Sequence, residues 1–216
     1  MKDKGELSTL FNNAAVIVAH PDDETLWCGG TILLNLKTKW TVISLCRKSD
    51  QVRSQKFYRV LEVLHVSGAM GDLDDGPEQL PLQKEEVQHT ILSVLPTLQF
   101  DLVLTHSPYG EYTRHRRHEE VSEAVIELWQ GKKISSGNLW MFAYEDGNRS
   151  YLPKAIGTAD RVITLPQDIW KQKYNIITEI YGFLPDSFEA RTTPTVEAFW
   201  CFTSPEEVYK WIEKGG

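Results

Sequence analysis

The stretch VIVAHPDDETLWCGG, residues 16–30, ends an apolar run and then crowds His20, Asp22, Asp23 and Glu24 together almost without spacing. The run AAVIVA, residues 14–19, is short and continuously apolar, as strands buried on both faces of a parallel sheet are. Residues 25–37 follow with a helical pattern. Gly29 and Gly30 fall in its first half, where glycine weakens a helix, so the pair implies close backbone packing.

Working outward, strand and helix alternate. Residues 40–45 form a second strand and residues 52–66 a helix, with Val52, Phe57, Val60, Leu61 and Leu64 at helical spacing. Residues 69–73 make a weak third strand, followed by the turn Asp74-Asp75-Gly76-Pro77. A helix is expected over 83–95, a buried strand over 101–105 (DLVLT), a helix over 118–129 and a strand over 139–144 (LWMFAY). The last third reads as a strand at 162–165, a helix at 167–181, a strand at 195–202 and a helix at 205–214. Such alternation implies right-handed crossovers. The expected fold class is therefore α/β: a Rossmann-like, mostly parallel sheet with helices on both faces, in three α/β/α layers. Residues 1–216 are expected to form one domain, without repeats or a linker.

Composition bounds the function. A net charge of −7 argues against a general nucleic-acid binder. No apolar run approaches the roughly 18–20 residues of a membrane span, and the opening MKDKGELSTLFNN carries no apolar signal core. Cys28, Cys46 and Cys201 are scattered, with no CxxC pair. They fit small core thiols in a reducing compartment and speak against a Cys-based zinc site. The expected location is cytoplasmic.

In open α/β sheets, ligands bind at the carboxyl ends of the strands. The HPDDE segment leaves one strand there. The segment HSPYGEY, residues 106–112, leaves another and leads into His115 and His118. Imidazole and carboxylate together suit Zn²⁺, whose catalytic sites use three protein ligands and keep one position for water. His20 and Asp23, three apart at a helix start, can face one ion. His118, at the start of the next helical pattern, is the better third ligand, and His115 lies one turn back. Asp22 stays free to act as general base on a zinc-bound water and to return the proton to a leaving amine. A protonated His115 would stabilise the oxyanion of a tetrahedral intermediate. Fe²⁺ or Mn²⁺ could occupy the same N/O site. The plainer alternatives are that Asp22 or Asp23 caps the helix, and that His115 and His118, among Arg114, Arg116 and Arg117, form a solvated basic face.

These residues resemble a known family. The motif AHPDDE at the first strand's end, the glycine pair and the later HxxH are similar to the PIG-L/LmbE-like zinc-dependent deacetylases. GDLDDG at 71–76 and GEY at 110–112 extend the likeness over residues 14–130. The resemblance implies a Rossmann-like sheet and removal of an N-acetyl group from an N-acetylglucosamine-type conjugate, a small-molecule partner. It implies His20, Asp23 and His118 as zinc ligands, Asp22 as base and His115 as the second catalytic group. Arg53 falls where the family often has an arginine, and as a guanidinium it suits a hydroxyl-rich or anionic substrate.

The chain also departs from the family pattern. Arg117 stands where many members have an acid, so the carboxylate that would orient a ligand is expected to be missing. Lys56 or Phe57 replaces an acid, and His65 a glycine. Two rival readings stay open: an amidase for a larger acyl or thiol-conjugate amide, and a metal-binding module without turnover. Trp27 is expected near the pocket, Trp140 and Trp200 in the core, and residues 183–188 (FLPDSF) as a loop over the site. A homo-oligomer is possible if tryptophans are exposed.

Overall fold

The computed structural model describes residues 11–216; the N-terminal stretch read above as free of a signal core lies almost wholly outside the described residues. A seven-stranded sheet organises them. Its strands are β1 (Asn13–Val18), β2 (Lys39–Cys46), β3 (Ser67–Leu73), β4 (Leu102–Thr105), β5 (Leu139–Phe142), β6 (Arg161–Thr164) and β7 (Val196–Phe202). The spatial order is β6-β7-β5-β4-β1-β2-β3. Every pairing among β1 to β5 is parallel. Strand β7 runs antiparallel to both β5 and β6.

The helices that connect them are α1 (Asp23–Leu34), α2 (Gln51–Leu64), α3 (Lys84–Val94), α4 (Arg116–Gln130), α5 (Gln167–Asn175), α6 (Phe188–Thr192) and α7 (Pro205–Glu213). Residues Ile176–Ile180 continue α5 as a wider π turn. The chain winds from β1 through β2 to β3, then returns by α3 to β4 on the other side of β1. Crossovers of one hand, wound in opposite directions, place their helices on opposite faces. The core follows this rule. Ala14, Val16 and Val18 pack with residues of α1, α2 and α5, whereas Ala15, Ile17 and Ala19 pack with residues of α3, α4 and α7. Strand β1 is thus buried on both faces, which is why its sequence is continuously apolar.

The expected fold is the observed one. Between β1 and β4 the winding reverses, and a crevice opens beyond their carboxyl ends. Ile17 pairs with Thr105, so the segments after β1 and β4 leave the sheet side by side, and the Ala19 N–H meets His106 Nε2 at 3.0 Å. Of the glycine pair, only Gly30 is sterically required: a Cβ there would lie 2.4 Å from Leu165 Cδ2, while at Gly29 the nearest contact is an ordinary 3.4 Å. Trp140 is buried. Trp200 is only partly buried, against Trp211 with ring centroids 5.6 Å apart. The three cysteines are free. Among the described residues, no helix is long and apolar enough to cross a membrane.

Candidate metal centre

The first cluster is shaped by the turn from β1 into α1. Asp22 occupies the position before the helix, but its side chain caps nothing. The Asp23 carboxylate does not cap either: Oδ2 accepts the His20 backbone N–H at 2.8 Å and Oδ1 the Trp27 indole N–H at 3.1 Å. Capping therefore does not account for these acids.

The second cluster is built around Glu111. This carboxylate is fully buried. Its Oε2 accepts the Nδ1–H of His118 at 2.6 Å and of His106 at 3.0 Å, and its Oε1 accepts the Ser107 N–H at 3.1 Å. His118, in the first turn of α4, is thereby turned so that Nε2 faces the first cluster.

Three unshared pairs meet there. His20 Nδ1 lies 3.1 Å from Asp23 Oδ2 and 3.3 Å from His118 Nε2, and His118 Nε2 lies 3.4 Å from Asp23 Oδ2. Ligand atoms about 2.0–2.1 Å from a tetrahedral zinc stand roughly 3.3–3.4 Å apart, so this triangle has the size of one face of such a site. Two overlapping sets also bring ligand atoms within 4.8 Å of one another: His20, His115 and His118, and Asp23, His106 and His118. His106 is engaged elsewhere, since its Nε2 accepts the Ala19 N–H at 3.0 Å. Against the opposing effect of burial, the Glu111 and Asp23 carboxylates draw its pKa up to about 9; the bond from Ala19 belongs to the ring's unprotonated form alone.

Each imidazole of the triangle has a carboxylate behind it, the arrangement that fixes tautomer and ring orientation in metal-binding histidines. For His118 it is Glu111. For His20 the nearest behind the ring is Asp75, whose Oδ1 lies 3.2 Å from Nε2, an ion-pair distance not aligned as a hydrogen bond. Asp75 is itself held by Arg47 at 2.7 Å. The expected loss of an orienting carboxylate at Arg117 is therefore corrected: Glu111 supplies it. Arg117 is fully buried and points away. It donates to the carbonyls of Asp74 and Leu80 and to Glu120, clamping the loop that carries Asp75. The solvated basic face describes only Arg114 and Arg116, which are exposed. Sequence reading missed Glu111, Asp75 and His106 as parts of this shell. The signal for His106 was its position just past a buried strand, as His20 stands two residues past β1.

The charges are set apart by environment. Burial and the neighbouring Asp23 charge push the Asp22 pKa well above the usual carboxylate range. Burial acts in the same sense on Asp23, but the His118 and His106 rings outweigh it and hold its pKa well below that range. Burial opposes charge on Glu111, yet the same two rings bring its pKa down to about 2. His115 packs on His20 and His118 with ring centroids 4.6 Å from each, and its buried Nδ1 has no partner. Burial and those two rings lower its pKa to about 3. At neutral pH the ring is therefore neutral, with an N–H to offer, and not the expected imidazolium.

Beside the triangle lies a cavity of about 180 Å³. Its walls include Asp22, Trp27, Arg53, Tyr112, His115 and Phe188. Arg53 Nη1 stands 3.5 Å from Asp22 Oδ2, with the side chain 40% exposed and its guanidinium 5.4 Å from the centre of the Phe183 ring. Phe188 packs on Tyr112 at 5.2 Å, so the 183–188 segment borders the site. Arg47, Asp75 and His115 also line a larger groove of about 1,100 Å³.

Residues 15–129, more than half of the chain, match the family model of PIG-L, described as GlcNAc-PI de-N-acetylase. The chain belongs to the PIG-L family. Solved structures of the same fold include the N,N′-diacetylchitobiose deacetylase of Pyrococcus horikoshii, at 15% identity and a TM-score of 0.66, covering 90% of this chain and 85% of that one. The zinc-inhibited form of a teicoplanin deacetylase matches at 17% identity and a TM-score of 0.61, covering 89% and 98%. A 4-carboxy-2-hydroxymuconate hydratase of Pseudomonas putida matches at 17% and 0.55, covering 84% and 82%. At these identities the likeness is one of fold, and the hydratase illustrates that a PIG-L-like sheet hosts more than one reaction.

Proposed function

We infer that this PIG-L family member is a zinc-dependent N-deacetylase acting on an N-acetylglucosamine-type conjugate. The observation that carries the reading is the triangle of His20, Asp23 and His118, with the Asp22 carboxylate beside it capping nothing and paired only loosely to Arg53 at 3.5 Å. Those three residues would hold the metal. Bound there, zinc supplies a Lewis acid for a carbonyl oxygen and brings the pKa of a water toward ~7. Asp22 takes a proton from the attacking water and returns it to the departing amine. His115 offers an N–H to the oxyanion. Glu111 and Asp75 keep the two imidazoles aimed.

Pocket size bears on the acyl group. Whole small-molecule sites span about 300–1,000 Å³. A cavity of about 180 Å³ closed by Trp27, Tyr112 and Phe188 suits the reacting end of a substrate with a short acyl group. The adjoining groove, with Arg47, Lys84 and Arg114 facing Glu119 and Glu123, receives the rest of the conjugate. Arg53, at the pocket mouth, is placed to contact a hydroxyl or an anionic group.

The test is metal content paired with acetate release, for the native protein and for His118→Ala. One zinc per chain is supplied and no more, since a related deacetylase has a zinc-inhibited form. The reading expects about one bound zinc, acetate from N-acetylglucosamine conjugates, and loss of both in the variant. A native protein that takes up no metal sinks it; one that binds zinc yet cleaves only larger amides moves the activity to amidases.

A further inference from the structure

Asp22 has φ 118°, a conformation that residues with a side chain rarely adopt and that persists only where the surroundings over-determine it. Its carboxylate is not the anchor: it caps nothing, and its nearest ionic partner is Arg53 at 3.5 Å. The backbone is held instead. The Asp22 N–H donates to Glu24 Oε2 at 3.0 Å, and its carbonyl accepts the N–H groups of Thr25 at 3.0 Å and Leu26 at 2.8 Å.

Glu24 is fully buried. Its other oxygen, Oε1, accepts the Thr25 hydroxyl at 2.6 Å and the Tyr181 hydroxyl at 2.7 Å. Tyr181 lies far beyond the residues that match the family model. Its place is built: its N–H closes the π turn onto the Ile176 carbonyl at 3.0 Å, and its own carbonyl receives Lys56 Nζ. Single π turns inside helices are frequent at functional sites.

We propose that Tyr181 is a positioning residue for Asp22, acting through Glu24. The inference rests on Asp22 being the base of the reaction above. A carboxylate with two O–H donors on one oxygen cannot rotate, so its second oxygen stays aimed at the Asp22 N–H. Without the Tyr181 hydroxyl that grip slackens. The peptide before Asp22 then turns toward an ordinary conformation and carries the carboxylate away from the water it must deprotonate.

Tyr181→Phe keeps the ring and removes the hydroxyl. Steady-state acetate release is measured with bound metal and melting temperature as controls. The expected result is a kcat lower by about ten- to a hundredfold, the usual effect of misplacing a catalytic group through its support, with KM within about twofold and metal content unchanged. Glu24→Gln, which retains an acceptor oxygen for the Asp22 N–H, should keep more turnover than Glu24→Ala. A native kcat in Tyr181→Phe, or a loss that merely follows lost metal, overturns the proposal. Equal losses in Glu24→Gln and Glu24→Ala do so as well. Asp22→Asn tells the two readings apart. If it is inactive while Tyr181→Phe is fully active, the positioning alone falls. If it is fully active, the base assignment falls and the positioning with it.

Discussion

Two fully buried carboxylates, one at the middle of the sequence and one near its end, show how differently the two parts of this molecule spend buried charge. Glu111, inside the family-matched stretch, holds two imidazoles beyond the ends of β1 and β4. Glu197, on β7, holds a helix. It accepts the N–H groups of Gly30 at 2.8 Å and Thr31 at 2.7 Å in mid-α1, the Thr31 hydroxyl at 2.6 Å, and the buried Lys173 ammonium at 2.6 Å. Tyr144 meets the same helix beside it, donating to the Trp27 carbonyl at 2.9 Å. The candidate metal ligands therefore sit on one edge, and Glu197 and Lys173 in the last third of the chain hold the helix that begins with Asp23.

That division can be broken by substitution. The largest effect belongs to the reactive edge: Asp22→Asn should lower kcat by about 10³-fold, within the range of general-base catalysis, while zinc content stays near one per chain. Retained turnover in a metal-loaded variant would remove Asp22 from the mechanism. At the far edge, Glu197→Ala leaves Lys173 buried and unpaired, a change that costs about 3–5 kcal/mol. Thermal and urea unfolding should show that loss, with zinc content of the folded fraction unchanged. If zinc is lost instead, the two regions are not separable. Glu111→Gln sharpens the contrast, because it keeps the shape and removes the charge behind His118. Competition with a chelator should report zinc affinity weakened by about 10- to 100-fold. The smallest effect is expected at Arg53. Its contact with Asp22 is partly exposed, and exposed ion pairs contribute at most about 1 kcal/mol. Arg53→Ala should raise KM a few-fold and leave kcat near native; a large fall in kcat would place Arg53 among the groups acting on the reacting atoms.

Much of the reactive edge was legible in the residues. AAVIVA reads as a strand buried on both faces because its side chains are apolar on both, and the acids and histidine that follow are placed by the chain within one turn. His118 was legible because it begins a helical pattern after a second buried strand. Glu111 and Asp75 were not assigned their roles, since each meets its histidine through a turn whose path depends on packing. Arg117 misled for the same reason: the sequence neighbour of His118 points about 100° away around the helix, here into the loop at 74–80. The far edge was least legible. Glu197 interrupts an otherwise apolar strand pattern, and nothing local tells that its partners are helix N–H groups 166 and 167 residues earlier. The antiparallel run of β7 has no local signature either.

The backbone of Asp22 carries one more consequence. Glycine occupies φ 118° without strain, whereas a residue with a Cβ there costs of order 1–3 kcal/mol. Asp22 also sits with its carboxylate against those of Asp23 and Glu24. Asp22→Gly should then give a protein that melts higher than the native one, by an amount equivalent to roughly 1 kcal/mol after glycine's added chain entropy is subtracted, and that releases no acetate. Selection for thermostability alone would discard the aspartate at this position.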